Sequence, residues 1–185
     1  MTFTIENLKE SDVEAVVKLF HIIIDELHEK SLEVERLHFK DMYPAEEVTN
    51  RLSNKDCIYL VARENDNVAG FMFAWVSEGV GNIHWMGIAP EHRKKGYGDK
   101  LIEETIKIFT EKGCYEAKLF TYPSEKAAYH LFQKHGFREA AFIDRRFFGT
   151  NIIFMVRKIT PVPEEHRSKK IVLAGEAGQG IKLMA

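Results

Sequence analysis

Cysteine is scarce in this chain: Cys57 and Cys114 are the only two among 185 residues. Two thiols cannot make a disulfide framework, and neither sits in a metal-ligand spacing, so no metal is expected. Cys57 opens a strand-like run and reads as a core thiol. No apolar stretch is long enough to span a bilayer. The N-terminus lacks the basic and apolar regions of a secretory signal, so a cytoplasmic protein with no membrane partner is expected. Neither sign of charge dominates, and a formal charge of −2 gives no global reason to expect nucleic acid. An anion site must therefore be a local basic patch. What is present, 45% hydrophobic and 29% charged residues, is the content of a globular protein. The length suits one domain with a small appendage.

Along the chain, Phe3 to Leu8 reads as a strand. Ser11 and Glu14 have the spacing of a capping box, and Val13, Val16, Val17, Phe20, Ile23, Ile24 and Leu27 then recur at helical spacing. Leu27 to Tyr43 shows no clean period and reads as a long loop carrying at most a helical turn. Pro44, Glu46 and Glu47 open a short helix ending near Ser53. Ile58–Arg63, Val68–Ser77 and Asn82–Ile88 form an antiparallel meander with turn residues between them. A helix after Gly98 carries Leu101, Ile102, Thr105, Ile106 and Phe109 on one stripe. Ala117–Tyr122 is a further strand, which a crossover connection makes parallel to its predecessor. Ser124 caps another helix that ends at His135-Gly136, and Phe142–Phe148 and Ile152–Lys158 are two last strands.

The chain turns on Ile83 to Glu104, where an apolar strand meets Pro90, a basic loop with Gly96 and Gly98 follows, and a helix opens at once. A helix N-terminus has unsatisfied N–H groups and a positive dipole end, and glycine lets backbone approach an anion. Arg93-Lys94-Lys95-Gly96-Tyr97-Gly98 thus suggests a diphosphate site; read by itself, a solvated basic loop between strand and helix is the favoured alternative. It is not the Lys-Ser/Thr phosphate loop, since no Gly-Lys-Ser/Thr occurs. Nor is it the dinucleotide fingerprint, because the strands before it are antiparallel.

Strand, Pro90, Arg93-x-x-Gly96-x-Gly98 and helix together resemble the acyl-CoA-binding motif of the GNAT N-acetyltransferase superfamily. A second stretch, Ala128-Tyr129-His130-Leu131-Phe132-Gln133-Lys134-His135-Gly136-Phe137, resembles that family's Ala-x-x-Leu-Tyr-x-x-x-Gly-Phe helix end. The order of elements agrees over Phe3 to Ile159. The resemblance implies an α/β (α+β) fold, a mixed, mostly antiparallel sheet of about seven strands flanked by about four helices. It implies acetyl-CoA as cosubstrate and a small-molecule or peptide amine as acceptor. Met86, Gly87 and Ile88 match the strand segment that pairs with the pantetheine arm. Arg93, Lys94, Lys95, Gly96, Tyr97, Gly98 and Asp99 match the diphosphate loop, with Asp99 closer to a helix-start charge than to a catalyst. A strand N–H near Ile88 would hold the oxyanion, and the fourth and fifth strands splay to make the slot for the acyl group.

Aminolysis needs a neutral amine, and a lysine-like amine has a pKa near roughly 10, so a base is expected. His84 stands where many members carry a glutamate in that role; packing against the sheet explains it equally well. The leaving thiolate commonly takes a proton from a tyrosine, but that position here is Phe132. Tyr129, one helical turn earlier, and Tyr122 are the candidates left. Glu125 stands where an asparagine is common. For the acceptor, Asp25, Glu26, Glu29, Glu33 and Glu35 suit a cationic amine, whereas Arg145-Arg146 suits an acidic one.

Pro161 to Lys170 is linker-like in composition, giving a main domain over 1–160, a linker over 161–170 and an appended strand or tail over 171–185. Lys169 to Lys182, with Gly175-Glu176-Ala177-Gly178-Gln179-Gly180, resembles the opening strand and glycine turn of the gamma-subunit domain of 2-oxoacid:ferredoxin oxidoreductases. The leading expectation is an N-acetyltransferase working by direct attack in a ternary complex. A non-catalytic acyl-CoA-binding module regulating a redox protein is the alternative. Homodimerisation through the late strands is left open.

Overall fold

Side chains that alternate along the central strands sort the core into two layers, one on each face of a single sheet. In β2 (Cys57–Glu64), Ile58, Leu60 and Ala62 join one cluster, while Tyr59 and Val61 join the other. The first layer is closed by α4 (Tyr97–Glu111), whose Leu101, Ile102, Ile106 and Phe109 form the apolar stripe expected from the sequence. The second is closed by α1 (Val13–Leu27), through Val16, Phe20, Ile23 and Ile24. The computed structural model describes residues 3–27, 33–159, 173–174 and 182–183.

The remaining elements are β1 (Phe3–Asn7), α2 (Glu33–Asp41), α3 (Ala45–Leu52), β3 (Asn67–Ser77), β4 (Val80–Ile88), β5 (Glu116–Thr121), α5 (Lys126–Lys134), β6 (Arg138–Phe147) and β7 (Thr150–Lys158). The seven strands run in the order β1-β2-β3-β4-β5-β7-β6, and within that sheet only β4 and β5 pair in parallel. This is the mixed, mostly antiparallel α/β sheet expected from the sequence.

One irregularity positions everything that follows. β4 and β5 pair only from Val80/Glu116 to Ile83/Leu119. Past that point β4 runs on to Ile88 and β5 to Thr121 without meeting. At the same place the β3–β4 register slips: Ala74 faces Ile83 and Phe73 faces Trp85, which leaves His84 as the extra residue of a bulge. A bulge bends its strand and increases its twist, so the strand is turned away from β5 where the pairing ends.

Several expectations need correcting. The stretch from Leu27 to Tyr43 is not one long loop: α2 occupies nine residues of it. Its helix carries no clean stripe because tertiary contacts hold it, with the Phe39 ring 5.1 Å from Trp85 and Lys40 Nζ 2.7 Å from Asp25 Oδ1. Ser11 and Glu14 do not form a capping box. A 3-10 turn over Glu10–Asp12 precedes α1, and the Lys9 N–H donates to Asp12 Oδ2 at 3.0 Å. Ser124 makes no cap either, since α5 starts after Glu125 with no side-chain cap. β6 begins at Arg138, four residues earlier than the apolar pattern indicates, because its exposed pairing with β7 extends past the apolar run.

The linker and most of the stretch resembling an oxidoreductase gamma domain lie outside the described residues. Within the tail, Leu173–Ala174 (β8) pairs antiparallel with Lys182–Leu183 (β9).

Candidate active site

The opening between the diverging strands holds a cavity of about 910 Å³. Of the ten residues expected on the donor side, all but Lys95 line it: Met86, Gly87, Ile88, Arg93, Lys94, Gly96, Tyr97, Gly98 and Asp99. Past Ile83 the β5-facing edge of β4 has no strand partner, so its backbone groups are open to an extended ligand that would pair as a strand does.

The loop reaching α4 is shaped by two left-handed residues, Lys94 at φ 61° and Gly96 at φ 88°. Such alternation about Lys95 turns successive amides toward one side, the arrangement that makes an anion-binding concavity. Gly96 is the residue before the first helical turn, and a Cβ built on it meets nothing within 4 Å. Its glycine answers to backbone conformation and to the open space at the helix end, where the unsatisfied N–H groups point. Gly98 and Gly87 have a different reason. A Cβ on Gly98 would stand 2.9 Å from Leu131 Cδ2, and one on Gly87 would stand 2.6 Å from the Phe71 ring and 2.8 Å from Ile23. Gly98 lets α5 close on α4, and Gly87 lets α1 and the Phe71 ring close on β4.

Charges around the loop are mutually engaged. Glu64 gathers its far side: its Oε2 lies 3.0 Å from His92 Nδ1 and 3.3 Å from Lys95 Nζ, and Tyr97 donates to the same carboxylate. Lys95 is thereby drawn off the cavity. Asp99 accepts from Lys134 and, at 2.8 Å, pairs with His135 Nε2. It ties the start of α4 to the end of α5 and is a support, as the sequence indicated. Arg93 bonds Ile88 O at 3.1 Å and pairs with Glu26. Burial raises the pKa of Glu125 nearby, with Arg93 opposing and Glu26 adding to the rise.

His84 lines the cavity on the opposite face of the sheet from α4. Its Nδ1 meets the hydroxyl of Tyr43, and its ring lies 5.1 Å from Trp75, edge to face. Burial pushes its pKa down to about 4, and the Arg51 charge adds to the shift. Tyr43 is itself buried, stacked on Phe73 at 5.0 Å, with the Arg51 guanidinium 4.9 Å from its ring centre. Burial raises the Tyr43 pKa, so it keeps its proton. Nothing in the sequence pointed to Tyr43, since 41 residues separate it from His84 and the loop reading of its segment hid it.

The structure does not bring Tyr129 to the site. Its hydroxyl donates to Glu139 Oε2 at 3.2 Å and accepts from Gln133 Nε2 at 3.2 Å, and it is absent from the cavity wall. Ala128, Leu131 and Phe132 form the cavity-facing side of α5, and Tyr129 is rotated off that side by the helical pitch. Tyr122 does line the cavity, but its hydroxyl bonds the Glu35 carboxylate of α2, which also accepts from Thr150 Oγ1 at 3.4 Å. Glu35 is only 1% exposed. Of the acceptor cues, Asp25 is engaged by Lys40 and Glu26 by Arg93, while Arg145 is an exposed neighbour of Asp144. Glu29 lies outside the described residues.

Among known proteins, residues 21–137 match the model of the acetyltransferase (GNAT) family. A spermidine N(1)-acetyltransferase of Thermoplasma acidophilum is 24% identical over 103 residues, 54% of this chain and 64% of that protein. A mycothiol acetyltransferase of Clavibacter sepedonicus is 29% identical over 83 residues, 44% of this chain and 27% of its own length. The chain thus spans less than two thirds of either relative. Among solved structures, a PaiA N-acetyltransferase from Thermoplasma acidophilum in complex with coenzyme A superposes with TM-score 0.75 at 21% identity, covering 85% of this chain and 99% of that one. The ribosomal-protein-S18-alanine N-acetyltransferase from Escherichia coli gives 0.68 at 18%, covering 88% and 97%. With a family model matched over more than half its length, on a fold those structures share, the chain belongs to the acetyltransferase (GNAT) family.

Proposed function

We propose that the protein is an N-acetyltransferase that moves an acetyl group from acetyl-CoA to a primary amine by direct attack in a ternary complex. The observation that carries this reading is the splayed β4–β5 opening set against the Gly96 helix start. One end is built for an anion, the middle offers unpaired strand backbone, and the far end carries a titratable side chain.

The residues fit acetyl-CoA in that order. The amides of the Lys94–Gly98 loop and the N-terminus of α4 take the diphosphate. The free edge of β4 takes the pantetheine arm, and an amide of that edge polarises the thioester carbonyl as negative charge develops on its oxygen. The amine nitrogen bonds the carbonyl carbon as the carbon–sulfur bond breaks. One proton must leave the nitrogen, and one must reach the sulfur. His84 is neutral at pH 7 and so open to a proton, but with a pKa of about 4 it is a weak base, suited to the acidic proton of the tetrahedral intermediate and not to a free ammonium. In the tautomer that donates Nδ1–H to the Tyr43 oxygen, Nε2 is left bare for the amine's proton. The Tyr43 hydroxyl can donate or accept, so the bond is compatible with both tautomers, and the reaction draws on the one with Nε2 bare.

The acid side is served differently. Phe132 has no proton to give, and the hydroxyls of Tyr97 and Tyr122 donate their hydrogen bonds to Glu64 and Glu35. The thiolate leaves without a dedicated acid, which a thiol with a pKa of roughly 8.5 tolerates near neutral pH. Phe132 on the cavity wall is also what favours the second reading, an acyl-CoA-binding module without turnover. Incubation with acetyl-CoA and an amine panel, followed by thiol release, separates the two. Release that depends on added amine is expected. Saturable CoA binding with no release on any amine, peptide or polyamine contradicts the transferase reading.

A further inference from the structure

On the acceptor side, the sheet face under α2 is floored in successive rows. Trp75, Asn82 and Lys118 stand in register across β3, β4 and β5. His84 and Phe120 follow along the strands, then Trp85 and Tyr122, all on the cavity wall. Phe39 of α2 and Met42 just after it close the roof. This half of the cavity is therefore aromatic.

Its charge is equally particular. Three described carboxylates line the cavity, Glu26 and Glu125 beside Arg93 and Asp99 held by Lys134 and His135, and a fourth, Glu35, lies behind Tyr122, bonded to its hydroxyl and to Thr150. On the acceptor side, histidines aside, the one formal charge among the described lining residues is the Lys118 ammonium. It has no ion-pair partner among the described residues. Trp85 Nε1 is a buried donor without a hydrogen-bond partner among the described residues.

A polyamine needs carboxylates spaced along its length; a second cation would meet the Lys118 charge, and the carboxylate behind Tyr122 is already engaged by Tyr122 and Thr150. Apolar rings, in contrast, gain area and edge-to-face contact with Phe120 and Trp75. We propose that the acceptor is a monoamine on an aromatic or branched apolar body, and that this chamber disfavours polyamines. The inference rests on the transferase reading for its chemistry, but binding tests it without turnover.

Trp75 and Trp85 are the two tryptophans of the chain and both line the chamber, so intrinsic fluorescence reports its occupancy. The CoA-bound protein is titrated with phenethylamine and with spermidine. Phenethylamine is expected to half-saturate the signal at a concentration lower by about tenfold or more, the worth of one well-made apolar contact. Phe120→Ala is expected to raise that concentration about fivefold, and Lys118→Glu to narrow the gap between the two amines. Spermidine saturating at an equal or lower concentration, or phenethylamine giving no saturable change, overturns the proposal. Thiol release with the same amines is scored separately. A binding preference without turnover sinks the transferase reading and leaves the chamber's selectivity standing.

Discussion

His84 is held neutral by burial and by the charge of Arg51, with a pKa pushed down to about 4. In the unfolded chain the same imidazole titrates near roughly 6.5. Between those values the unfolded state binds more protons, so stability falls as pH drops from about 6.5 to about 4. His84→Gln is expected to flatten that slope by on the order of 2 kcal/mol, read from denaturant unfolding at a series of pH values. An unchanged slope would contradict the neutral, buried assignment. The same shift bears on turnover: an acid limb due to His84 falls near 4. On the other side of the reaction, loss of a working general acid costs about 10²–10⁴-fold. Tyr129→Phe and Tyr122→Phe are each expected to stay well short of that loss in kcat. A loss of that size in Tyr122→Phe would make its phenol the acid. The position of Phe132 was legible in the sequence as a missing hydroxyl. That Tyr129 faces Glu139 was not, because spacing along a helix gives a neighbourhood and not the side turned to the cavity.

Among elements, β4 does the most, and its glycines do two different things. Gly96, just beyond it, serves a left-handed turn, while Gly87 serves packing, since its absent Cβ leaves room for the Phe71 ring and Ile23. Gly87→Ala is expected to destabilise the fold by about 1–3 kcal/mol through overpacking, measured by chemical denaturation. No change would show that α1 can retreat. The donor turn was readable because backbone needs there are met by residue type: glycine at the helix start, proline before it, basic residues between. α2 was not readable, since Glu35, Phe39 and Lys40 owe their places to Tyr122, Trp85 and Asp25, partners distant in sequence. The bulge at His84 was hidden for the same reason. A register slip is a relation between two strands and leaves no mark in either one.

In the molecule as a whole, one parallel pair that stops after Ile83 and Leu119 divides the cavity into its two halves. The backbone proposed to take phosphate lies on the α4 face, and the aromatic chamber under α2 on the other. The donor half follows from local rules, so sequence order and glycine placement already indicated it. The acceptor half is assembled from β3, β4, β5 and α2, and its character emerges only when those elements meet. The two halves meet at the proposed coenzyme A clamp. Calorimetric titration with coenzyme A measures it most directly, on the parent protein and on Gly96→Asp, which puts an anion and a Cβ at the left-handed helix start. Saturable binding by the parent is predicted, with a loss of about 100-fold or more in the variant and no change in far-ultraviolet circular dichroism. Equal affinity in the two proteins would contradict it.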